Sequence, residues 1–134
     1  MVKKTLPEAT GLKYAIDLDW YEENHRSFAY AARNSLCAKC KRKVEGKGTS
    51  PHKIITMVKG CCSNEASFIN DRQPILESVF RMFLSNGNRP IELEELSRLL
   101  AEQRGGDTSR AAPRVLSRLL RKEDYYGIRL VATS

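Results

Sequence analysis

The chain has no apolar, uncharged run approaching the roughly 20 residues of a membrane span, and its N-terminus, Met1-Val2-Lys3-Lys4, is basic with no apolar segment behind it. It is therefore expected to be soluble and intracellular, hence cytoplasmic. Histidine is scarce, with only His25 and His52 among 134 residues. No histidine–glutamate pair stands at the spacing of a catalytic metal site. No glycine-rich phosphate loop, nucleophile–base pair or paired-carboxylate arrangement stands out either, so an enzyme is not expected. No βαβ pattern surrounds the single Cys-x-x-Cys, which argues against thiol–disulfide exchange. Acid is scarce in one stretch. Between positions 39 and 59 Glu45 alone faces seven basic residues, Lys39, Lys41, Arg42, Lys43, Lys47, Lys53 and Lys59.

What is present begins with four cysteines. Cys37-Ala38-Lys39-Cys40 offers two thiolates on one tight turn, the grip of a knuckle on a tetrahedral ion, and Cys61 and Cys62 follow after an ordinary separation. The cations Lys41, Arg42 and Lys43 suit a tetrathiolate site, which carries net negative charge. With reducing conditions expected, disulfides are disfavoured. One structural zinc ion bound by Cys37, Cys40, Cys61 and Cys62 is the expectation. The adjacent pair departs from the usual two-residue spacing. Both of its side chains reach one ion only if the backbone turns there, and Gly60 is placed to allow it. If one of the pair is not a ligand, His25 or His52 is the alternative fourth donor. An iron–sulfur cluster, and with it a cluster-based sensor, stays open because it too takes four thiolates.

The chain divides into an arm at 1–16, a metal-binding helix and strand region at 17–70, and a helical domain at 71–134. The fold class expected is mainly α with a small β component. Asp17 or Asp19 caps a helix reaching 36, carrying Trp20, Phe28, Ala31 and Leu36. Gly46, Gly48, Thr49, Ser50 and Pro51 form a turn, and the β-branched run at 53–58 reads as a strand. Pro74 opens a helix that Asn86-Gly87-Asn88 ends. A short extended piece at 89–92 precedes a second helix with Leu93, Leu96, Leu99 and Leu100, ended by Gly105-Gly106. Asp107, Thr108 or Ser109 caps a third, bearing Ala112, Val115, Leu116, Leu119 and Leu120, and 126–132 reads as a closing strand.

This order over residues 72–132 resembles the winged-helix branch of the helix-turn-helix superfamily. The resemblance implies that the third helix lies in a DNA major groove and that a terminal hairpin touches the backbone. The wing is short, so either the closing strand pairs with Ile91 or Tyr125-Tyr126 begin a small hairpin. Independently of family, Arg110, Arg114, Arg118 and Arg121 recur every four, four and three residues, on the side opposite the apolar positions. Such a face suits phosphates and guanine edges. The net charge of +7 fits a polyanion partner. The expectation is a small DNA-binding transcription regulator, nucleoid-associated, in which Lys41, Arg42 and Lys43 add phosphate contacts. A homodimer is expected, with the N-terminal aromatic residues as a possible interface. The alternative is a non-enzymatic adaptor docking on protein or RNA.

Overall fold

A computed structural model of the protein describes residues 12–44, 48–105 and 108–131. The described residues form seven α-helices and one three-stranded antiparallel sheet, so the protein is mainly α with a small β component. Most of the expected arm, together with Glu45, Gly46, Lys47, Gly106, Asp107 and Ala132, lies outside the described residues.

The helix expected over 17–36 is two short helices. Asp17 caps α1 (Leu18–Glu23), its carboxylate accepting the Asp19 N–H. Ser27 caps α2 (Phe28–Ala32), its hydroxyl accepting the Tyr30 N–H. Between them His25 takes a left-handed φ of 55°, which ends the first helix and lets the serine start the second. The break turns the aromatic residues inward. Trp20, Tyr21 and Phe28 stack edge to face in sequence, and Phe28 passes the contact on to Phe80. All three are buried and only Tyr30 of this group is exposed. The proposed aromatic interface is thus part of the core.

The strand expected over 53–58 is instead helix α4 (Pro51–Gly60), following α3 (Ala38–Val44). Ser50 caps α4 by accepting the Lys53 N–H at 3.2 Å, and Pro51 occupies its first turn. Ile54, Ile55 and Val58 are buried at positions spaced one and three apart, which is helical spacing. Cap and spacing outweigh the modest helix penalty of β-branched residues.

The C-terminal order is α5 (Ile75–Ser85), β2 (Ile91–Glu92), α6 (Leu93–Arg104), a 3₁₀ turn at Thr108–Ala111, α7 (Pro113–Lys122) and β3 (Ile128–Leu130). Helix α7 begins at Pro113 from an extended Ala112 with no side-chain cap, later than the expected start near Ser109. Proline fixes that start, because it cannot continue the preceding turn. Phe80, Phe83, Leu96, Leu100 and Leu116 from this half share one continuous core with Ile54 and Val58 of α4.

Both readings of the closing strand are corrected. Strand β3 pairs neither with Ile91 nor in a local hairpin; it pairs with β1 (Lys13–Ile16), which lies between β2 and β3. Tyr14 stands opposite Ile91 on one side and Leu130 on the other. Thus the end of the segment read as an arm supplies the central strand. The side chain of Asn88 holds it, accepting the Ile16 N–H at 2.8 Å and donating to the Ile16 carbonyl at 2.9 Å.

The turn into β3 depends on Gly127, at φ 68°. A Cβ there would stand 2.7 Å from Trp20 Cε3 and 3.1 Å from Tyr21 Cε1. Gly127→Ala therefore adds left-handed strain to a clash with two buried rings. A loss of about 2–4 kcal/mol is expected in chemical denaturation, from strain and overpacking together. An unchanged midpoint would count against this packing.

Candidate metal centre and basic helix face

Cys37 immediately precedes α3 and Cys40 sits in its first turn, so the two sulfurs lie at one helix end. The Cys37 carbonyl accepts the Lys41 N–H at 2.8 Å, closing the turn between them. Cys61 ends α4, donating its N–H to the Met57 carbonyl, and Cys62 opens a 3₁₀ turn. Between these elements the Cys61 backbone takes φ −135° and ψ −68°. This non-helical step aims both neighbouring side chains to one side. The turn expected at Gly60 is made at Cys61 itself, and Gly60 remains inside α4 with open space where a Cβ would be.

The four sulfurs lie within 4.8 Å of one another. Cys37 Sγ is 3.8 Å from Cys61 Sγ and 3.4 Å from Cys62 Sγ. A zinc ion with Zn–S bonds of about 2.3 Å would space tetrahedral thiolates by about 3.8 Å, whereas a disulfide requires about 2.05 Å. All four cysteines are free. Cys37, Cys40, Cys61 and Cys62 are thus positioned to hold a metal ion.

The surroundings favour thiolates unevenly. The Cys40 backbone N–H and the Cys62 side chain hold the Cys37 thiol down to about 7. Burial pushes the Cys40 thiol up to about 12 and raises that of Cys62. A dication offsets this desolvation by binding the deprotonated sulfurs directly. The Cys37 N–H also donates to Cys62 Sγ at 3.2 Å, support for a thiolate from the neighbouring shell. Both histidines lie on exposed surface, and neither belongs to the cysteine group. Lys41, Arg42 and Lys43 are exposed in the last turn of α3, where they complement the helix dipole as well as the thiolate charge.

A second basic surface lies on α7. Leu116 and Leu120 are buried, while Arg114, Arg118, Arg121 and Lys122 are exposed. Arg110 is also exposed, but it sits on the 3₁₀ turn before Ala112 and so does not continue the helical row. Open grooves flank the helix. One is lined by Leu93, Pro113, Arg114, Ser117, Arg118 and Arg121. A second separates α7 from β1 and β3 and includes Tyr14, Ser117, Arg121 and Leu130.

The arginines of this half divide into two kinds. Arg81 bonds the Asn34 and Phe68 carbonyls and pairs with Glu77. Arg98 pairs with Glu95 and Glu102. Arg104 bonds the carbonyls of Asn70, Asp71 and Gln73 and the Ser78 hydroxyl. Arg129 pairs with Glu123. Among the described residues, Arg72, Arg89, Arg110, Arg114, Arg118 and Arg121 have no such side-chain partner, and three of these six lie together on α7.

Sequence reasoning left out Glu123, Tyr14 and Ser117. Glu123 is the buried acid of the α7–β3 connection, and nothing in its sequence setting separates it from an exposed acid. Tyr14 and Ser117 enter the sheet-side groove through the pairing of β1 with β3, which is non-local. The chain matches no protein-family model, no curated protein and no solved structure.

Proposed function

We propose that this protein binds double-stranded DNA in the manner of a small intracellular transcription regulator, and that the four cysteines hold one structural zinc ion. The observation that carries the reading is the gathering of unpaired arginines on one face of α7. Arg81, Arg98, Arg104 and Arg129 of the helical half are tied to carboxylates, hydroxyls or carbonyls, whereas Arg114, Arg118 and Arg121 gather on one exposed face of α7 without carboxylate partners. Free guanidinium groups on an exposed helix face fit phosphates and the O6/N7 edge of guanine. Arg110, on the preceding turn, and Lys41, Arg42 and Lys43, on α3, add sequence-independent phosphate contacts. The role is binding rather than catalysis.

Zinc is favoured over an iron–sulfur cluster by the sulfur spacing. A cluster distributes its thiolates over different irons and so holds them further apart than one ion does, while all four sulfurs here lie within 4.8 Å. A ten-residue helix reads only a short stretch of duplex, so a homodimer belongs to the proposal.

Arg114→Ala and Arg118→Ala are expected to unfold at the wild-type temperature, because both side chains are exposed. Each is expected to weaken binding to a selected duplex by about 1–3 kcal/mol where it reads a base. Lys41→Ala and Lys43→Ala are expected to weaken all duplexes alike and to lower the salt slope by about one each. Affinities for selected and random duplexes at two salt concentrations separate these outcomes. If the wild type binds no duplex beyond the level of any equally basic protein, the DNA reading fails. The adaptor reading, with the same face docked on protein or RNA, then takes its place.

A further inference from the structure

The sheet-side groove gathers polar groups that the fold itself leaves unused. It is about 580 Å³ in volume and open along one side. Tyr14 reaches it from β1, Ser117 and Arg121 from α7, and Leu12 and Leu130 stand at its edges. Tyr14 is only 7% exposed. Among the described residues, neither the Tyr14 hydroxyl nor the Ser117 hydroxyl makes a hydrogen bond, and Arg121 forms no ion pair. Tyr14 lines the groove although most of its ring is buried. Arg121 stands close enough to act on the Tyr14 hydroxyl electrostatically. Two neutral donors and the unpaired Arg121 therefore converge on one open cleft, beside Arg129 of β3.

The cleft also holds an acid. Glu123 is 1% exposed at its side chain and is bound by Arg129 and by backbone N–H groups. Its charge at the groove wall is thus compensated by these donors. Leu12 at 40% and Leu130 at 54% are among the most exposed large apolar side chains of the described residues. Apolar edges around a donor-lined cleft match the alternation of sugar and phosphate along a nucleic-acid backbone, where phosphate takes the hydrogen bonds.

We infer that the cleft between α7 and the β1–β3 pair holds one backbone phosphate of the bound duplex, through Arg121, the Tyr14 hydroxyl and the Ser117 hydroxyl, with Leu12 and Leu130 against the adjoining sugars. This rests on the DNA reading above and refines it. Arg121 becomes a phosphate contact, and base reading falls to Arg114 and Arg118. The contact also supplies, from an N-terminal strand, the backbone grip that a terminal hairpin would otherwise give.

The test uses the full chain with Tyr14→Phe, Ser117→Ala and Arg121→Ala, against selected and random duplexes at two salt concentrations. Tyr14→Phe keeps the buried ring, and unfolding at the wild-type temperature confirms this. Tyr14→Phe and Ser117→Ala are each expected to weaken both duplexes by about three- to tenfold with the salt slope unchanged, as the loss of a neutral hydrogen bond implies. Arg121→Ala is expected to weaken both duplexes and to lower the slope by about one. A scan of single methylphosphonate substitutions along the selected duplex then locates the contact. At one position the substitution should weaken the wild type more than it weakens Tyr14→Phe or Arg121→Ala, since each variant has already lost part of the same contact. If Tyr14→Phe and Ser117→Ala bind as the wild type does while Arg114→Ala is impaired, the cleft inference fails and the DNA reading stands. If the wild type itself selects no duplex, both fall.

Discussion

Removal of the metal is expected to unfold α3 and the C-terminal end of α4 and to lower the melting temperature of the whole chain. Helix α3 has seven residues and is far too short to persist alone. Cys37 and Cys40 at its start and the pair at the end of α4 bring the two helices together at one end. Structural zinc sites contribute about 10–16 kcal/mol of apparent binding free energy near neutral pH, while a domain's entire stability is about 5–15 kcal/mol. An ion bound by these four cysteines would therefore decide whether this region is folded. The effect extends beyond it, because Ile54 and Val58 of α4 share a core with Phe80 and Phe83 of α5. Cys37→Ser and Cys40→Ser are each expected to reproduce the effect of a chelator, with a fall in Tm of more than about 10 °C and a partial loss of helical circular dichroism. Protons compete with the ion at every thiol, so apparent metal affinity should rise with pH. Elemental analysis should find one zinc per chain in colourless protein; visible absorption would instead indicate iron. Cys61→Ser and Cys62→Ser should both weaken metal binding, while His25→Ala and His52→Ala should leave it intact. Unchanged thermal unfolding in both Cys37→Ser and Cys40→Ser would remove the metal from the account.

The cysteine group was legible in the sequence because its chemistry survives errors in secondary structure. Four thiols separated by a knuckle and a connection converge whether the intervening residues form a strand or, as here, helix α4. The convergence of Cys61 and Cys62 was less accessible, since it depends on the backbone angles of Cys61 itself. Helices α5 and α6 follow their apolar periodicity closely. Helix α7 was read with too early a start because the arginine spacing runs unbroken through Ala112 and Pro113, while the backbone there does not. The role of residues 13–16 was hidden for a different reason. A four-residue strand makes no local pattern, and β1 is stable only between β2 and β3, about 75 and 115 residues further along the chain. The same distance concealed the cleft to which Tyr14 contributes. Charge showed the reverse problem. Nine arginines in the last 62 residues look alike in sequence, and their division into internal ties and free surface groups needs the fold.

Glu123 carries the second large expected effect. It leaves the C-terminal end of α7 with its side chain 1% exposed. One carboxylate oxygen accepts the Ile128 N–H at 2.9 Å, and the other accepts the N–H groups of both Tyr125 and Tyr126. Arg129 lies 3.5 Å from the first oxygen and donates to the Glu123 carbonyl at 2.8 Å. The same guanidinium bonds the Ile128 carbonyl and stands over the Trp20 ring. Strand β3 is an edge of the sheet, and Ile128 lies opposite Ile16 between two hydrogen-bonded pairs, so its own N–H and carbonyl point outward. Glu123 and Arg129 cap those outward groups, which closes the edge to a further strand. Glu123→Ala would leave a buried N–H and a half-buried guanidinium without their anion. Removal of one partner of a buried pair costs about 3–5 kcal/mol, so a fall in Tm of more than about 10 °C is expected for a chain of this size. Glu123→Gln keeps one accepting oxygen but turns an NH₂ group toward N–H donors, and should fall between the alanine variant and the wild type. Arg129→Ala should cost less than Glu123→Ala, because the backbone N–H groups still satisfy the carboxylate. Thermal unfolding of the three variants tests this order, and an Arg129→Ala protein less stable than Glu123→Ala would show that the guanidinium, not the carboxylate, organises the turn.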